Sequence, residues 1–178
     1  MIKLYAKQRR LIHLVTDQIY EKEKNNRMMT GILSQIVEFR NGESGLHVLH
    51  INILTQLLLE KLMRKSENYD LSWSQQHIIA TASALHDIGK IGIDEKILNK
   101  PGKLTKEEFE AMKQHTIIGA RMLDRLKMYH DEEMMKYAYE ICRWHHERYD
   151  GKGYPDGLKG EEIPISAQVV SLADVYDA

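Results

Sequence analysis

Histidine and acidic residues that can bind metal ions occur at five separate places in this sequence. Glu43 and His47 are four residues apart, so on a helix both side chains project from one face, one turn apart. His86 and Asp87 are adjacent and follow the apolar segment 78–85. Burying that pair without a partner would cost several kcal/mol, so the sequence predicts that it meets a cation or a hydrogen-bond network.

Three further places carry the same residue types. His145 and His146 are adjacent, directly before a glycine-rich loop, and Asp174 lies in an apolar helical segment. His115 lies within a predicted helix. Each alone is also explained by an ordinary surface or packing role, and the remaining histidines are assigned such roles: His13, His50, His77 and His130. His50 lies close to one turn beyond His47, which gives it a second interpretation as a residue behind the ligands. Only the coincidence of all five places predicts a metal site.

Three sequence segments together resemble the HD-GYP family, a subgroup of the HD-domain metal phosphohydrolases that includes cyclic di-GMP phosphodiesterases. The segments are 86–90 (His-Asp-Ile-Gly-Lys), 99–105 (Asn-Lys-Pro-Gly-Lys-Leu-Thr) and 145–155 (His-His-Glu-Arg-Tyr-Asp-Gly-Lys-Gly-Tyr-Pro). Their order and spacing match the family from about residue 43 to residue 178. The combination is far more specific than any one of its parts.

The resemblance implies two or three divalent metal ions, with iron or manganese favoured by a mixture of imidazole and carboxylate ligands. The eight implied ligands are Glu43, His47, His86, Asp87, His115, His145, His146 and Asp174. Glu43 is the position that the family associates with a third metal. Two such cations, roughly 3.5–4 Å apart, can share a hydroxide that attacks phosphorus. In this mechanism Asp87 is the carboxylate between the metals, and Lys90 binds phosphate and stabilises developing charge.

The segment 151–160 holds four of the eleven glycines and is predicted to be a functional loop. Gly153 and Gly157 allow a positive φ, and Tyr154 offers a ring face for a guanine base. By resemblance Gly153, Tyr154 and Pro155 line the substrate cleft. The simpler interpretation is a surface turn.

Three functions are consistent with these residues. The first is hydrolysis of cyclic di-GMP to the linear dinucleotide pGpG and to GMP. The second is a non-catalytic module that binds a cyclic dinucleotide or a protein partner, and the third is a hydrolase of another cyclic dinucleotide. The sequence stops at Asp177-Ala178, where the family continues with an arginine and a lysine that hold phosphate, so we expect a C-terminally truncated chain.

The elements that must position these residues are helices. Proline is confined to positions 101, 155 and 164, and strand-like alternation is scarce, so we predict an all-α HD-domain bundle with a long N-terminal linker helix. Ser72 with Gln75, and Thr105 with Glu108, are capping boxes that open helices, and Ser166 is the predicted cap of the last helix. The predicted division is a linker at 1–40 and an HD-GYP domain at 41–178.

The linker segment shows a helical apolar stripe that includes Leu11, Val15 and Ile19. It forms either one long helix or two helices with a hinge. It packs on the core of its own chain, or it pairs with a second copy in a homodimer. It also resembles the linker that joins a receiver domain to an HD-GYP output domain in response regulators, so an upstream receiver domain is expected in a longer chain.

Composition limits the other classes of function. The chain has 178 residues, 43% of them hydrophobic and 29% charged, with a formal net charge of −1. A near-neutral chain lacks the concentrated basic charge that DNA binding requires. The single cysteine, Cys142, excludes an internal disulfide and a cysteine-rich zinc site. Neither a secretion signal nor a membrane-spanning stretch is apparent, so we expect a cytoplasmic protein without membrane contact.

Overall fold

Helices form nearly all of the regular structure of this chain. A computed structural model describes residues 2–40, 46–66, 68–129 and 131–177, and within these ranges there is no β-strand. The all-α prediction is confirmed. The α-helices are α1 (Ile2–Phe39), α2 (Leu46–Lys65), α3 (Trp73–Ser83), α4 (Glu95–Leu98), α5 (Lys106–Asp124), α6 (Glu133–Trp144) and α7 (Ile165–Asp177), with short 3-10 helices at Ile88–Gly92, Lys127–Tyr129 and Gly160–Glu162.

Side-chain caps fix where two of the helices begin. Ser72 and Gln75 form a reciprocal capping box at the start of α3, and Thr105 and Glu108 form one at the start of α5. Both predictions are confirmed. The prediction for Ser166 is wrong, because α7 begins at Ile165 and the buried Ser166 hydroxyl donates instead to a carboxylate oxygen of Glu140 on α6, at 2.6 Å. The hydroxyl that local sequence predicts to be a helix cap therefore hydrogen-bonds instead to a residue that is distant in sequence.

The hydrophobic core lies between α2, α3, α6 and α7. Ile51 and Leu59 of α2, Ile79 of α3, Ile141 of α6 and Val170 of α7 are each completely buried there. Burial of each such side chain contributes about 1.5–3 kcal/mol relative to exposure. This packing brings together the ends of helices that carry the candidate ligands.

The first helix is continuous, so the alternative of two helices with a hinge is wrong. Its described large apolar side chains from Tyr5 to Ile36 are exposed, and its last part packs against the bundle, where Ser34, Val37 and Glu38 are buried. Its end is fixed by Arg40, whose guanidinium donates to the carbonyl of Ile91 at 2.7 Å. In the part of the chain described, no helix is both long enough and apolar enough to cross a membrane.

Candidate metal centre

Seven of the eight predicted ligands meet at one end of the bundle. His47 lies in the first turn of α2, His115 lies within α5, and Asp174 lies near the end of α7. His86 and Asp87 lie in the turn that follows α3. His145 and His146 follow α6 directly. The eighth, Glu43, lies outside the described residues.

The first cluster consists of Asp87, His115, His145 and His146. One ligand atom of each lies within 4.8 Å of all the others. The Nε2 atom of His115 is 3.2 Å from Oδ1 of Asp87, and Nε2 of His145 is 3.8 Å from the same oxygen. Three imidazoles therefore surround one carboxylate.

The second cluster consists of His47, His86 and Asp174, with the same mutual spacing. Oδ1 of Asp174 is 3.5 Å from Nε2 of His47 and 3.9 Å from Nε2 of His86. The other oxygen of Asp87, Oδ2, is 3.2 Å from Nε2 of His86. Asp87 thus presents one oxygen to each cluster and lies between them.

Backbone carbonyls set the orientation of three of the imidazoles. The Nδ1 atom of His86 lies 2.9 Å from the carbonyl oxygen of Ser83. His115 and His145 make the same kind of contact, at 2.7 and 2.8 Å, with carbonyl oxygens three and four residues earlier. Because a carbonyl only accepts, each Nδ1 carries the proton and donates. Each Nε2 therefore carries a lone pair whenever its ring is neutral.

These lone pairs face an oxygen rather than a donor. The Nε2 atoms of His86, His115 and His145, and Oδ1 of Asp87, are buried, and no described residue hydrogen-bonds to any of them. Lone pairs 3.2 Å apart repel unless a proton or a cation lies between them, and an unpaired buried polar atom costs about 1–3 kcal/mol. The donor set of imidazole nitrogen and carboxylate oxygen therefore fits divalent metal ions.

The protonation states of Asp87 and of the three histidines around it in the first cluster agree with this function, whereas Asp87 raises the pKa of His86 although burial opposes it. Burial lowers the pKa of His115, His145 and His146, so these rings are neutral and able to bind metal at pH 7. Burial opposes the ionisation of Asp87, yet His86 and Lys90 hold the pKa of its carboxyl well below its usual range. The first cluster is thus an anion surrounded by neutral imidazoles.

Asp177 is a residue that the sequence analysis missed. Its two oxygens lie 2.8 Å from Nδ1 of His47 and 2.8 Å from Nδ1 of His50, so one carboxylate holds both rings. Hydrogen bonding to Asp174, with a further contribution from Asp177, raises the pKa of His47 to about 9 although burial opposes it. His50 therefore lies behind a predicted ligand, as its second interpretation proposed. The spacing of His47 and His50, about one helical turn, was the feature of the sequence that could have indicated a shared partner.

Lys90 and Gly89 follow the ligands in the 3-10 helix Ile88–Gly92. The Nζ atom of Lys90 lies 2.8 Å from Oδ2 of Asp87. Gly89 packs so closely on α5 that a Cβ atom there would lie 1.8 Å from the carbonyl oxygen of His115. The absence of a side chain at Gly89 therefore lets this segment and α5 bring their ligands together.

The loop after His146 passes directly over the first cluster. Its Tyr154 ring lies 4.8 Å from the ring of His146, centroid to centroid, and 6.5 Å from that of His115. Pro155 follows through a cis peptide bond. Of the two glycines that allow a positive φ, Gly157 has one, at 72°, whereas Gly153 does not. Gly153 is required for another reason, because a Cβ there would lie 2.3 Å from the backbone nitrogen of Arg148.

Two acidic residues that the sequence analysis missed hold this loop in place. The buried Glu147 accepts, at one oxygen, hydrogen bonds of 2.7 and 2.9 Å from the backbone N–H groups of Asp156 and Gly157. The carboxylate of Asp156 in turn accepts two hydrogen bonds from Arg143 and one from the indole of Trp144. The loop is thus anchored to the helix that precedes His145.

Comparison with known proteins places these features in a family. Residues 21–178 match the HD domain family. A cyclic di-GMP phosphodiesterase of Thermotoga maritima is 46% identical over 147 residues, which cover 83% of this chain and 37% of that protein. A 3'3'-cGAMP-specific phosphodiesterase of Vibrio cholerae is 40% identical over 146 residues, covering 82% of this chain and 26% of that protein.

A third relative adds a regulatory context. The cyclic di-GMP phosphodiesterase response regulator RpfG of Xanthomonas campestris is 39% identical over 158 residues, covering 89% of this chain and 39% of that protein. The chain therefore spans between about a quarter and two fifths of the length of these curated relatives.

Proposed function

This chain belongs to the HD domain family, and we propose that it is a metal-dependent phosphodiesterase that hydrolyses cyclic di-GMP to linear pGpG and then to GMP. The observation that carries the proposal is the set of buried Nε2 atoms around Asp87 to which no described residue hydrogen-bonds. Relatives named as cyclic di-GMP phosphodiesterases support the choice of substrate.

The proposed metal ligands divide into two groups. Asp87, His115, His145 and His146 would hold one ion, and His47, His86 and Asp174, with Asp87 shared, would hold a second. We assign Glu43 to a third ion. Iron or manganese is proposed because the donors combine neutral imidazole with carboxylate. When bound, such ions activate water as a nucleophile and neutralise phosphate charge.

Lys90 is proposed to bind the phosphate under attack. Its ammonium group lies 2.8 Å from Asp87, so a phosphate oxygen arriving beside that carboxylate is within reach of the same positive charge. The Lys90 side chain is only 15% exposed, and partial burial strengthens its attraction for an anion. The charge that develops on phosphate during hydrolysis is therefore stabilised by Lys90.

The loop that contains Gly153, Tyr154 and Pro155 is proposed to form a wall of the substrate cleft. The proposal is supported by the contacts of the Tyr154 ring with the rings of His146 and His115 in the first cluster. The hydrogen bonds from the loop backbone to Glu147 keep the wall rigid, which lowers the entropic cost of positioning substrate.

Two alternative functions are consistent with the same residues. Hydrolysis of 3'3'-cGAMP is supported by the relative named for that substrate. A non-catalytic module that binds a cyclic dinucleotide or a protein partner would use the same clusters and loop without releasing product.

Anaerobic turnover of cyclic di-GMP and 3'3'-cGAMP with iron or manganese tests the proposal. We expect pGpG, resolved by chromatography, from the wild-type chain and none from an Asp87→Asn variant, which preserves side-chain shape but removes the shared charge. A chain that binds metal and cyclic di-GMP but releases no product, even when extended past Ala178, would favour the binding module. Faster turnover of 3'3'-cGAMP would move the assignment to that substrate.

The N-terminal helix is proposed to pair with a second copy and to connect the domain to an upstream receiver. Leu11, Val15 and Ile19 are 62%, 46% and 53% exposed, and a coiled coil would bury such a stripe. The relative named as a response regulator supports the receiver. Sedimentation velocity should show a dimer for the wild-type chain and a monomer for Ile19→Glu, and a wild-type monomer would contradict the pairing. The cytoplasmic location stays a prediction.

A further inference from the structure

An aromatic and basic patch on α5 lies beside the metal clusters and has no role in the reaction described above. Phe109 and Lys113 are four residues apart and share one face of α5, shortly before His115. The Nζ atom of Lys113 lies 5.0 Å from the ring centroid of Phe109 and 5.5 Å from that of Tyr154. Phe109 and Tyr154 meet edge to face at 6.2 Å.

Tyr154 connects this patch to the metal clusters. Its ring contacts His146 and His115 as well as Phe109 and Lys113. Burial and the charges of Asp87 and Asp174 raise the pKa of the Tyr154 phenol, which agrees with a position close to both carboxylates. Phe109 and Lys113 are therefore one side chain away from the proposed site of phosphate binding.

The two residues offer complementary surfaces for a nucleobase. The ring of Tyr154 is already packed against protein neighbours, whereas Phe109 is 45% exposed. An exposed aromatic ring gives a base a stacking surface worth about 1–3 kcal/mol. The Lys113 ammonium makes one ion pair, 2.6 Å, with Glu110, and an ammonium has three donor hydrogens.

We propose that Phe109 and Lys113 form a base subsite that selects guanine over adenine. Phe109 stacks on the base, and Lys113 donates to the O6 and N7 acceptors that guanine presents on one edge. Adenine has an amino donor in place of O6, so it meets the ammonium with one acceptor fewer and an opposed dipole. The inference rests on the proposed function, because it takes the substrate to be a cyclic dinucleotide whose phosphate lies beside Asp87.

Base selectivity of binding and of turnover tests the subsite. Equilibrium binding of cyclic di-GMP and cyclic di-AMP to the metal-loaded chain is measured for wild type, Lys113→Met and Phe109→Leu. Lys113→Met should weaken cyclic di-GMP binding about tenfold or more while leaving cyclic di-AMP nearly unchanged, and in turnover the loss should fall on KM. Phe109→Leu should weaken binding of both ligands, because stacking does not distinguish the bases.

The matched control is Lys136→Met on α6. Lys136 makes a similar contact, with Nζ 5.7 Å from the ring of Tyr137, but it contacts no residue of either metal cluster. The Lys136→Met substitution should leave the preference for cyclic di-GMP over cyclic di-AMP unchanged. The inference would be overturned if wild type and Lys113→Met showed the same preference for cyclic di-GMP over cyclic di-AMP. It would also be overturned if Lys136→Met lost as much cyclic di-GMP affinity as Lys113→Met, or if wild type bound neither dinucleotide.

A separate assay distinguishes failure of the subsite from failure of the proposed function. Hydrolysis of bis(p-nitrophenyl) phosphate by the wild-type chain reports phosphodiester cleavage without a base. Cleavage of that ester, with no selectivity change in Lys113→Met, refutes only the subsite. Guanine-selective binding that depends on Lys113, without cleavage of any ester, supports the subsite and refutes the hydrolase.

Discussion

Replacing Gly89 by alanine should move Asp87 away from His115 within the first metal cluster. Gly89 follows Asp87 by two residues, and its backbone rests on α5 where His115 lies. An added Cβ would lie 1.8 Å from the carbonyl oxygen of His115 and 2.5 Å from the backbone nitrogen of Gly119. Neither neighbour is a flexible side chain, so the strain cannot be relieved by a rotamer change.

The size of the effect follows from these distances. A carbon atom needs about 3 Å or more from an oxygen, so the turn and α5 must separate by about 1.2 Å. Overpacking of this kind costs about 1–3 kcal/mol, and we expect the upper end because backbone opposes backbone. The same displacement would lengthen the 3.2 Å separation between His115 Nε2 and Asp87 Oδ1, on which a shared cation depends.

Two measurements on Gly89→Ala check this reasoning. Urea denaturation should show a loss in the free energy of unfolding of about 3 kcal/mol. Metal content after dialysis against a weak chelator should fall well below that of the wild-type chain. The control is Gly31→Ala in α1, where a Cβ meets nothing within 4 Å and alanine favours the helix by about 0.8–1 kcal/mol. Wild-type stability and metal content in Gly89→Ala would show that the turn and α5 tolerate a Cβ atom at this position.

Three further predictions follow from other contacts. Asp177→Asn removes the negative charge that holds the His47 ring. Metal affinity, measured by chelator competition, should fall about 10- to 100-fold, and unchanged affinity would contradict a role of Asp177 in positioning His47. Arg40→Ala removes the guanidinium that donates to carbonyls in and just after the 3-10 helix Ile88–Gly92. The free energy of unfolding, measured by urea denaturation, should fall by about 1.5–3 kcal/mol, whereas a loss below about 0.5 kcal/mol would show that water replaces the guanidinium. Burial and Arg27 lower the pKa of His77 below 6.5, so the folded state binds fewer protons than the unfolded state and loses stability as pH falls below about 6.5. The unfolding free energy should therefore drop less between pH 7.5 and 5.5 in His77→Gln than in wild type, and equal drops would remove His77 as the cause.

Local sequence was sufficient to predict the helices and two of their boundaries. The capping boxes at Ser72 and Thr105 depend on residues three positions apart, so they can be recognised without tertiary structure. The ligand set came from the family resemblance, and local sequence gave independent support for a metal site. The types of the ligand side chains and their positions beside apolar helical segments imply burial, and burial of such groups requires a partner.

Predictions failed or were missing where the partner of a side chain is distant in sequence. Ser166 looks like a helix cap, but packing of α7 on α6 brings Glu140 to its hydroxyl. Asp177 is separated from His47 by 130 positions, so its role depends on α7 lying against α2. Gly153 was singled out because glycine allows a positive φ, whereas its actual constraint is close contact with the chain at Arg148.

The helical class of the fold and the chemical types of the candidate ligands could therefore be predicted from local sequence, because hydrophobic periodicity, capping and short motifs are local properties. Tertiary structure decided how those ligands divide into two clusters with Asp87 between them. It also decided which nitrogen of each ring faces inward, because backbone carbonyls hold the Nδ1 protons of His86, His115 and His145. Those relations exist only once the helix ends have packed together, since each requires atoms from segments that are far apart along the chain.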